Sequence, residues 1–189
     1  MQTPHDDYFK YLKTRSRVGH AYRQFLLYPK LVRHLHGKVL DIGCGIGDML
    51  GFRPGTIGID VNPKTVEYCK SQGFEACLME FDILPFEDKS FDSILLDNVL
   101  EHLQDPRPLL AEALRVLRKN GVLLIGVPGI RGWASDSDHK VFYDEEALVK
   151  CLVQAGFSRK RIFHTPVARS EWLSRRVRQY CIYGVFSPV

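Results

Sequence analysis

The chain has 189 residues, of which 45% are apolar and 25% charged, and a net charge of +4; this is the composition of an ordinary globular domain and excludes a disordered, collagenous or coiled-coil chain. At this length roughly 70% of the unfolded surface can be buried, so no disulfide or metal staple is required, and no apolar run approaches the ~20 residues of a membrane span. The cysteines, Cys44, Cys69, Cys77, Cys151 and Cys181, are odd in number and form no C-x-x-C pair, so neither a disulfide framework nor a metal is expected, and a reducing cytoplasm fits best.

The first ten residues are polar, carry Asp6 and Asp7 and do not read as a secretory signal. Residues 6–35 read as one or two helices, with Tyr22, Phe25, Leu26, Leu31 and Leu35 on the apolar face and Pro29 as a kink or break. A β/α alternation follows. Lys38 to Ile42 is a buried strand, Gly43 to Gly47 a glycine-rich turn, Asp48 to Phe52 a very short helix, and Thr56 to Val61 the second strand. Asn62-Pro63 starts a helix, because Asn caps and Pro at the first position loses no needed N–H; Gly73 stops it. Glu75 to Phe81 and Phe91 to Leu96 are the third and fourth strands. Asp105-Pro106 opens a helix in the same way, with Leu110, Ala113, Leu114 and Leu117 as its core stripe and Asn120-Gly121 as its end. Val122 to Val127 is a strand buried on both faces. Leu148, Cys151, Leu152 and Ala155 mark a helix ending at Gly156. Arg161 to Val167 and Tyr180 to Phe186 are the last strands, joined by a short arginine-rich helix. The alternation predicts a mostly parallel sheet with helices on both faces, whose ligands bind beyond the carboxyl ends of the strands.

The chemistry concentrates in Val39-Leu40-Asp41-Ile42-Gly43-Cys44-Gly45-Ile46-Gly47-Asp48. Glycines after a buried strand let the backbone turn sharply and approach a ligand. Asp60 ends the second strand, where a carboxylate can accept hydrogen bonds from both hydroxyls of a ribose. These features fit any adenosine-containing cofactor. A nicotinamide dinucleotide wants a third glycine where this chain has Asp48, so a dehydrogenase is the weaker reading.

The segment resembles motif I of the class I S-adenosylmethionine-dependent methyltransferases, and the resemblance continues in order. Gly58-Ile59-Asp60-Val61-Asn62-Pro63 resembles the second-strand motif. Phe81-Asp82-Ile83 with Leu84-Pro85-Phe86 resembles the third, Asp97-Asn98-Val99-Leu100-Glu101-His102-Leu103 the fourth, and Val116-Leu117-Arg118-Lys119-Asn120-Gly121-Val122-Leu123 the fifth, with Lys119-Asn120-Gly121 where the family often has Pro-Gly-Gly. The resemblance spans roughly 39–157. It implies a Rossmann-like α/β fold: a seven-stranded mostly parallel sheet with helices on both faces, an antiparallel last strand and a helical N-terminal lid (1–36) belonging to the same domain as residues 37–189. It implies S-adenosyl-L-methionine as cofactor, S-adenosyl-L-homocysteine as product, and Asp41, Gly43, Cys44, Gly45, Asp60, Val61, Asp82, Ile83, Asp97, Asn98 and His102 as cofactor residues. Within that set Asp60 would hold the ribose, Asp82 the adenine amine and the Ile83 amide a ring nitrogen, while Asp41 would position the loop by accepting backbone N–H groups. Asp60, at a strand end, is expected to matter for the cofactor and not for folding.

The acceptor side is less defined. His139, in the loop after the fifth strand, is the candidate general base, against a reading in which it caps the next helix or pins the loop. Trp133 and Tyr143 are expected to line the acceptor pocket or pack in the core. The acceptor is expected to be a small molecule, a sugar or a lipid-linked glycan, methylated at oxygen. Asp97-Asn98-Val99-Leu100 stands where amino-group methyltransferases carry Asn/Asp-Pro-Pro-Tyr, so nucleic acid is disfavoured. A degenerate methyltransferase fold acting as a scaffold is the non-enzymatic alternative. Charge is uneven: residues 1–38 and 157–189 each sum to +6 and the middle to −8. Lys10, Lys13, Arg15, Arg17 and Arg23 at one end and Arg169, Arg175, Arg176 and Arg178 at the other are therefore expected to frame the pocket and favour an anionic acceptor, with Arg175 and Arg176 as substrate residues.

Overall fold

The computed structural model describes Phe9, Leu12, Thr14 and residues 16–80 and 82–189. Its strands are β1 (Val39–Ile42), β2 (Thr56–Asp60), β3 (Ala76–Leu78), β4 (Phe91–Asp97), β5 (Leu117–Pro128), β6 (Phe157–Thr165) and β7 (Cys181–Pro188). They form one sheet in the order β3-β2-β1-β4-β5-β7-β6. Every pairing from β3 to β5 is parallel, and β7 runs antiparallel between β5 and β6. The strand order reverses beside β1, so the carboxyl ends of β1 and β4 flank the switch point where such sheets bind ligands.

The helices are α1 (Arg17–Tyr22), α2 (Tyr28–Leu31), α3 (Asp48–Phe52), α4 (Pro63–Ser71), α5 (Arg107–Val116), α6 (Ile130–Trp133), α7 (Glu145–Gln154) and α8 (Glu171–Arg176). Asn62 Oδ1 accepts the Lys64 amide at 3.0 Å and Asp105 Oδ1 the Arg107 amide at 3.1 Å, but only Asn62 is an N-cap; α5 starts one residue later than expected, with Pro106 at its N-cap. Pro29 does not break the N-terminal helix. A π turn, Arg23–Leu27, joins α1 to α2, with the Tyr28 amide reaching back to the Arg23 carbonyl; this absorbs the register change before the residue that has no N–H to give.

Apolar side chains on the two sheet faces form separate clusters. Leu40, Ile42, Ile59, Ile94 and Leu96 pack against α5 and α7, whereas Leu95, Leu124 and Tyr183 pack against Leu27, Leu31 and Leu35 of the N-terminal segment. β5 starts five residues before the expected Val122, because Leu117 pairs with Phe91 across a bulge. Asn120-Gly121 therefore lies in the strand, the helix ends at Val116, and its buried stripe is Leu109, Leu110, Ala113 and Val116. β6 likewise starts at Phe157, directly after Gly156, held by pairing with Pro188. The third strand ends at Leu78, and Phe81 lies outside the described residues.

Candidate active site

The loop after β1 is shaped by its backbone. Gly43 and Gly45 have φ of 76° and 54°, in the left-handed region that favours glycine. A Cβ on Gly43 would fall 2.5 Å from Val99 Cγ2. The Gly43 and Cys44 amides both donate to the Ile59 carbonyl, at 2.8 and 3.1 Å. The Gly45 amide donates to Asp60 Oδ2 at 2.9 Å, and Asp60 Oδ1 accepts the Asn62 amide at 2.8 Å. It is thus Asp60, not Asp41, whose carboxylate takes a loop amide. Asp60 is only 6% exposed, and removing its carboxylate would leave two amides without this acceptor.

A cavity of about 380 Å³ opens at the carboxyl ends of β1, β4 and β5. Asp41, Gly43, Cys44, Gly45, Asp97, Asn98, His102 and His139 all line it, which brings together half of the predicted site residues. Asp60, Val61, Asp82 and Ile83 are not among its lining residues. Asp82 sits at φ 64°, and the Ile83 amide donates to the Glu80 carbonyl at 3.2 Å. That amide, expected to meet a ring nitrogen, is spent on the turn that places Asp82. Arg115 clamps the segment after this turn by donating to the Leu84 and Phe86 carbonyls and pairing with Asp88 and Glu112.

The N-terminal segment forms one wall of the cavity through Leu12, Thr14, Ser16, Tyr22, Arg23 and Tyr28. Leu12 is buried, and its Cδ1 lies 3.3 Å from where a Gly45 Cβ would stand. Lys10, Lys13 and Arg15 lie outside the described residues, as does the Arg17 side chain. Arg23 and Arg178 reach the cavity. Arg175 and Arg176 are not among its lining residues: Arg175 pairs with Glu171 at 2.8 Å and Arg176 lies over the Trp172 ring. Tyr143 is a buried residue of the main core. Trp133 contributes its carbonyl rather than its ring, as described next, and its indole packs edge-on against Phe142.

Beside His102 and His139, which line the cavity, lies Glu101. This residue follows Leu100 in a 3-10 turn, Leu100–His102. Its side chain is wholly buried, and neither carboxylate oxygen has a hydrogen-bond partner. Burial, opposed by its own amide and reinforced by Asp97 and Asp136, pushes its carboxyl up to about 8. Its carbonyl accepts the Lys140 and Val141 amides at 2.7 and 3.1 Å, which folds the 135–142 loop onto it. His139 is thereby brought to 3.8 Å from Glu101 Oε1, and its ring meets that of His102 edge-on at 4.6 Å. His139 Nδ1 lies 2.7 Å from the Trp133 carbonyl oxygen. A carbonyl only accepts, so Nδ1 carries the proton and Nε2 of the neutral ring keeps a lone pair.

Asp97 closes the opposite side. Its Oδ1 accepts the Tyr183 hydroxyl at 2.7 Å and Asn98 Nδ2 at 2.9 Å. Gly126 makes room for this pair, since a Cβ there would stand 2.3 Å from Tyr183 Cε1. Asp41 is buried beside it, and burial, then the charges of Asp97 and Asp60, holds its carboxyl well above the usual range. Arg23 and Arg178, expected with the other basic residues to frame the pocket, do line it, whereas sequence reasoning gave no role to Glu101 or Tyr183. Only Glu101 left a signal, an acid inside the apolar run Val99-Leu100-Glu101.

The fold is the Rossmann-like one of the class I S-adenosylmethionine-dependent methyltransferases, and residues 40–125 match the family described as a methyltransferase domain. The chain is 33% identical over 98 residues to an uncharacterized protein of Methanocaldococcus jannaschii, covering 51% of this chain and 48% of that one. It is 32% identical over 140 residues to the human "Probable tRNA methyltransferase 9B", covering 71% and 29%. The chain thus spans less than half the length of these relatives. A solved Thermotoga maritima structure, a SAM-dependent methyltransferase and possible histamine N-methyltransferase, superposes with a TM-score of 0.75 at 19% identity, covering 94% of this chain and 97% of that one, and shows the same fold. Among the described residues no helix is long and apolar enough to cross a membrane.

Proposed function

We propose that this protein transfers a methyl group from S-adenosylmethionine to an oxygen of a polar acceptor held between the glycine loop and His139. The observation that carries the reading is the convergence of Gly43, Gly45, Asp97, Asn98, His102 and His139 on one cavity. The residues fit the cofactor: Gly43 and Gly45 present no Cβ, and two amides fix the Asp60 carboxylate beside them. The bound cofactor supplies a sulfonium-activated methyl group. The chain's residues orient the acceptor and exclude water, which the Leu12 wall and the buried floor support. His139 Nε2, with its lone pair, is assigned to activating the acceptor oxygen.

A small anionic acceptor fits the two arginines that line the cavity. A second reading, a tRNA acceptor, is favoured by the human relative's name and by the +6 charge of each end of the chain, since phosphate backbones reward such patches. It runs against the expectation that nucleic acid is disfavoured. Incubating the protein with labelled cofactor and either small-molecule or RNA fractions separates the two. His139→Ala should lower turnover by about 10²- to 10⁴-fold with cofactor affinity unchanged. No label transfer from either fraction overturns the proposal; a loss under about tenfold in His139→Ala removes His139 from it.

A further inference from the structure

Glu101, His102 and His139 have a second use open to them. One carboxylate oxygen and one nitrogen from each ring lie within 4.8 Å of one another. His139 Nδ1 faces the Trp133 carbonyl at 2.7 Å, and His102 Nδ1 faces Asp138 Oδ2 at 3.2 Å. Both rings therefore have Nδ1 engaged by an oxygen and Nε2 as the nitrogen left. A histidine that holds a metal through one nitrogen almost always gives its other N–H to a carboxylate or carbonyl in this way. Beside the two rings, which meet edge-on at 4.6 Å, is the wholly buried Glu101 side chain, neither of whose carboxylate oxygens has a hydrogen-bond partner. Burying the charge of this carboxylate is costly, and a bound cation would offset that cost. The 3.8 Å from Glu101 Oε1 to His139 Nε2 is too long for a hydrogen bond. It is close to the roughly 3.4 Å that separates two ligands on a tetrahedral ion with bonds of about 2.1 Å.

We infer that Glu101, His102 and His139 form a binding site for a divalent first-row transition ion, with a coordination position open to the cavity. Two imidazoles and one carboxylate suit zinc, cobalt or nickel and not magnesium or calcium, which take oxygen ligands. Three protein ligands with an open fourth position is the pattern of ion sites that meet a substrate. His102 and His139 both line the cavity, as does Asp136, whose negative charge favours a cation there. With the ion bound, His139 is a ligand and cannot also take a proton, so the ion and the free ring are alternative ways of activating an acceptor. The site itself does not depend on what the acceptor is.

The test is titration of the untagged full chain with Co²⁺ and Zn²⁺, followed by calorimetry and by absorption, with Mg²⁺ as control. About one Co²⁺ should bind per chain, with nitrogen and oxygen coordination and no thiolate charge-transfer band. Glu101→Gln and His139→Asn should each weaken binding about 100-fold or more, and Asp138→Asn about tenfold. If Glu101→Gln loses its circular dichroism, His102→Asn takes its place with the same expectation. Absence of saturable Co²⁺ and Zn²⁺ binding overturns the inference. So does a thiolate band, tight Mg²⁺ binding, or undiminished affinity in the variants. Binding is read without cofactor or acceptor, so an ion-binding protein that transfers no methyl group would sink the proposed function and leave this site standing.

Discussion

The two halves of the cavity are built on opposite plans. In the glycine-loop half, polar groups are closed off against one another: the Gly43 and Cys44 amides share the Ile59 carbonyl, and Asp60 takes the amides of Gly45 and Asn62. In the half beyond β4 and β5, buried polar groups are left open. Both Glu101 oxygens and the Trp133 Nε1 lack partners, and His139 turns a lone pair inward. Native structures rarely leave buried polar groups unpaired. The difference indicates that the first half is a rigid cradle, preorganised by its own backbone. The second half is incomplete until something enters it.

If the cradle is held by Asp60, breaking it should produce the largest effect. Asp60→Ala is expected to weaken S-adenosylhomocysteine binding by about 1.5–3 kcal/mol, the range for hydrogen bonds to a charged group. It should also lower unfolding stability by a similar amount, because two amides lose their acceptor. Calorimetry and urea unfolding read the two losses separately. Unchanged stability would mean that the loop holds without the carboxylate, and the contrast between the halves would lose its basis. Gly43→Ala attacks the same half through conformation, at about 1–3 kcal/mol for the left-handed φ plus the contact with Val99. Gly55→Ala is its control, with φ 81° and nothing within 4 Å of its Cβ. The excess loss in Gly43→Ala over Gly55→Ala, by thermal unfolding, measures the fit to Val99 alone.

The open half should respond to pH where the cradle does not. The Glu101 carboxyl is raised to about 8, chiefly by burial. The folded chain therefore keeps a proton that the unfolded chain releases above the ordinary value of 4.5. The stability linked to Glu101 is full below that value and is lost as pH climbs towards 8, with a slope of up to about 1.4 kcal/mol per pH unit. Glu101→Gln should flatten this decline in chelator-treated protein, as read by urea midpoints across the range. A decline of the same slope in the variant would assign it to another group.

Much of this was legible in the chain, and the reasons for success and failure are physical. The cradle is local: a glycine loop, an acid at a strand end and an Asx-Pro cap all act within a few residues, so motif spacing reports them directly. The half beyond β4 and β5 depends on contacts across the sequence. Tyr183 reaches Asp97 across 86 positions, and Glu101 receives the 135–142 loop from nearly forty positions on. No period or motif encodes such pairings. Strand ends were misjudged where tertiary pairing extended a strand, as at Leu117 opposite Phe91, or at Phe157 opposite Pro188. In both places the partner strand, not the local residues, decides where pairing starts.

The smallest expected effect concerns the arginines, and it divides one chemical type by placement. Arg23 and Arg178 line the cavity. Burial works against the charge on Arg23, but Tyr28, Asp97 and Asp48 more than offset it and raise its pKa. Arg175 and Arg176 instead stand on α8 with local partners, Glu171 and the Trp172 ring. An exposed ion pair of the Arg175–Glu171 kind contributes about 0.2–1 kcal/mol. Replacing Arg175 and Arg176 with Ala should therefore cost no more than that in stability and leave a small acceptor's KM nearly unchanged. Arg178→Ala should raise that KM, and the rise should shrink as salt screens the charge. For an RNA acceptor the order changes, because a phosphate backbone reads the whole basic surface rather than the cavity wall. Arg175→Ala with Arg176→Ala would then weaken binding and reduce its salt slope. Steady-state kinetics of the two variant sets at two ionic strengths thus tests the placement of the arginines and the size of the acceptor in one experiment.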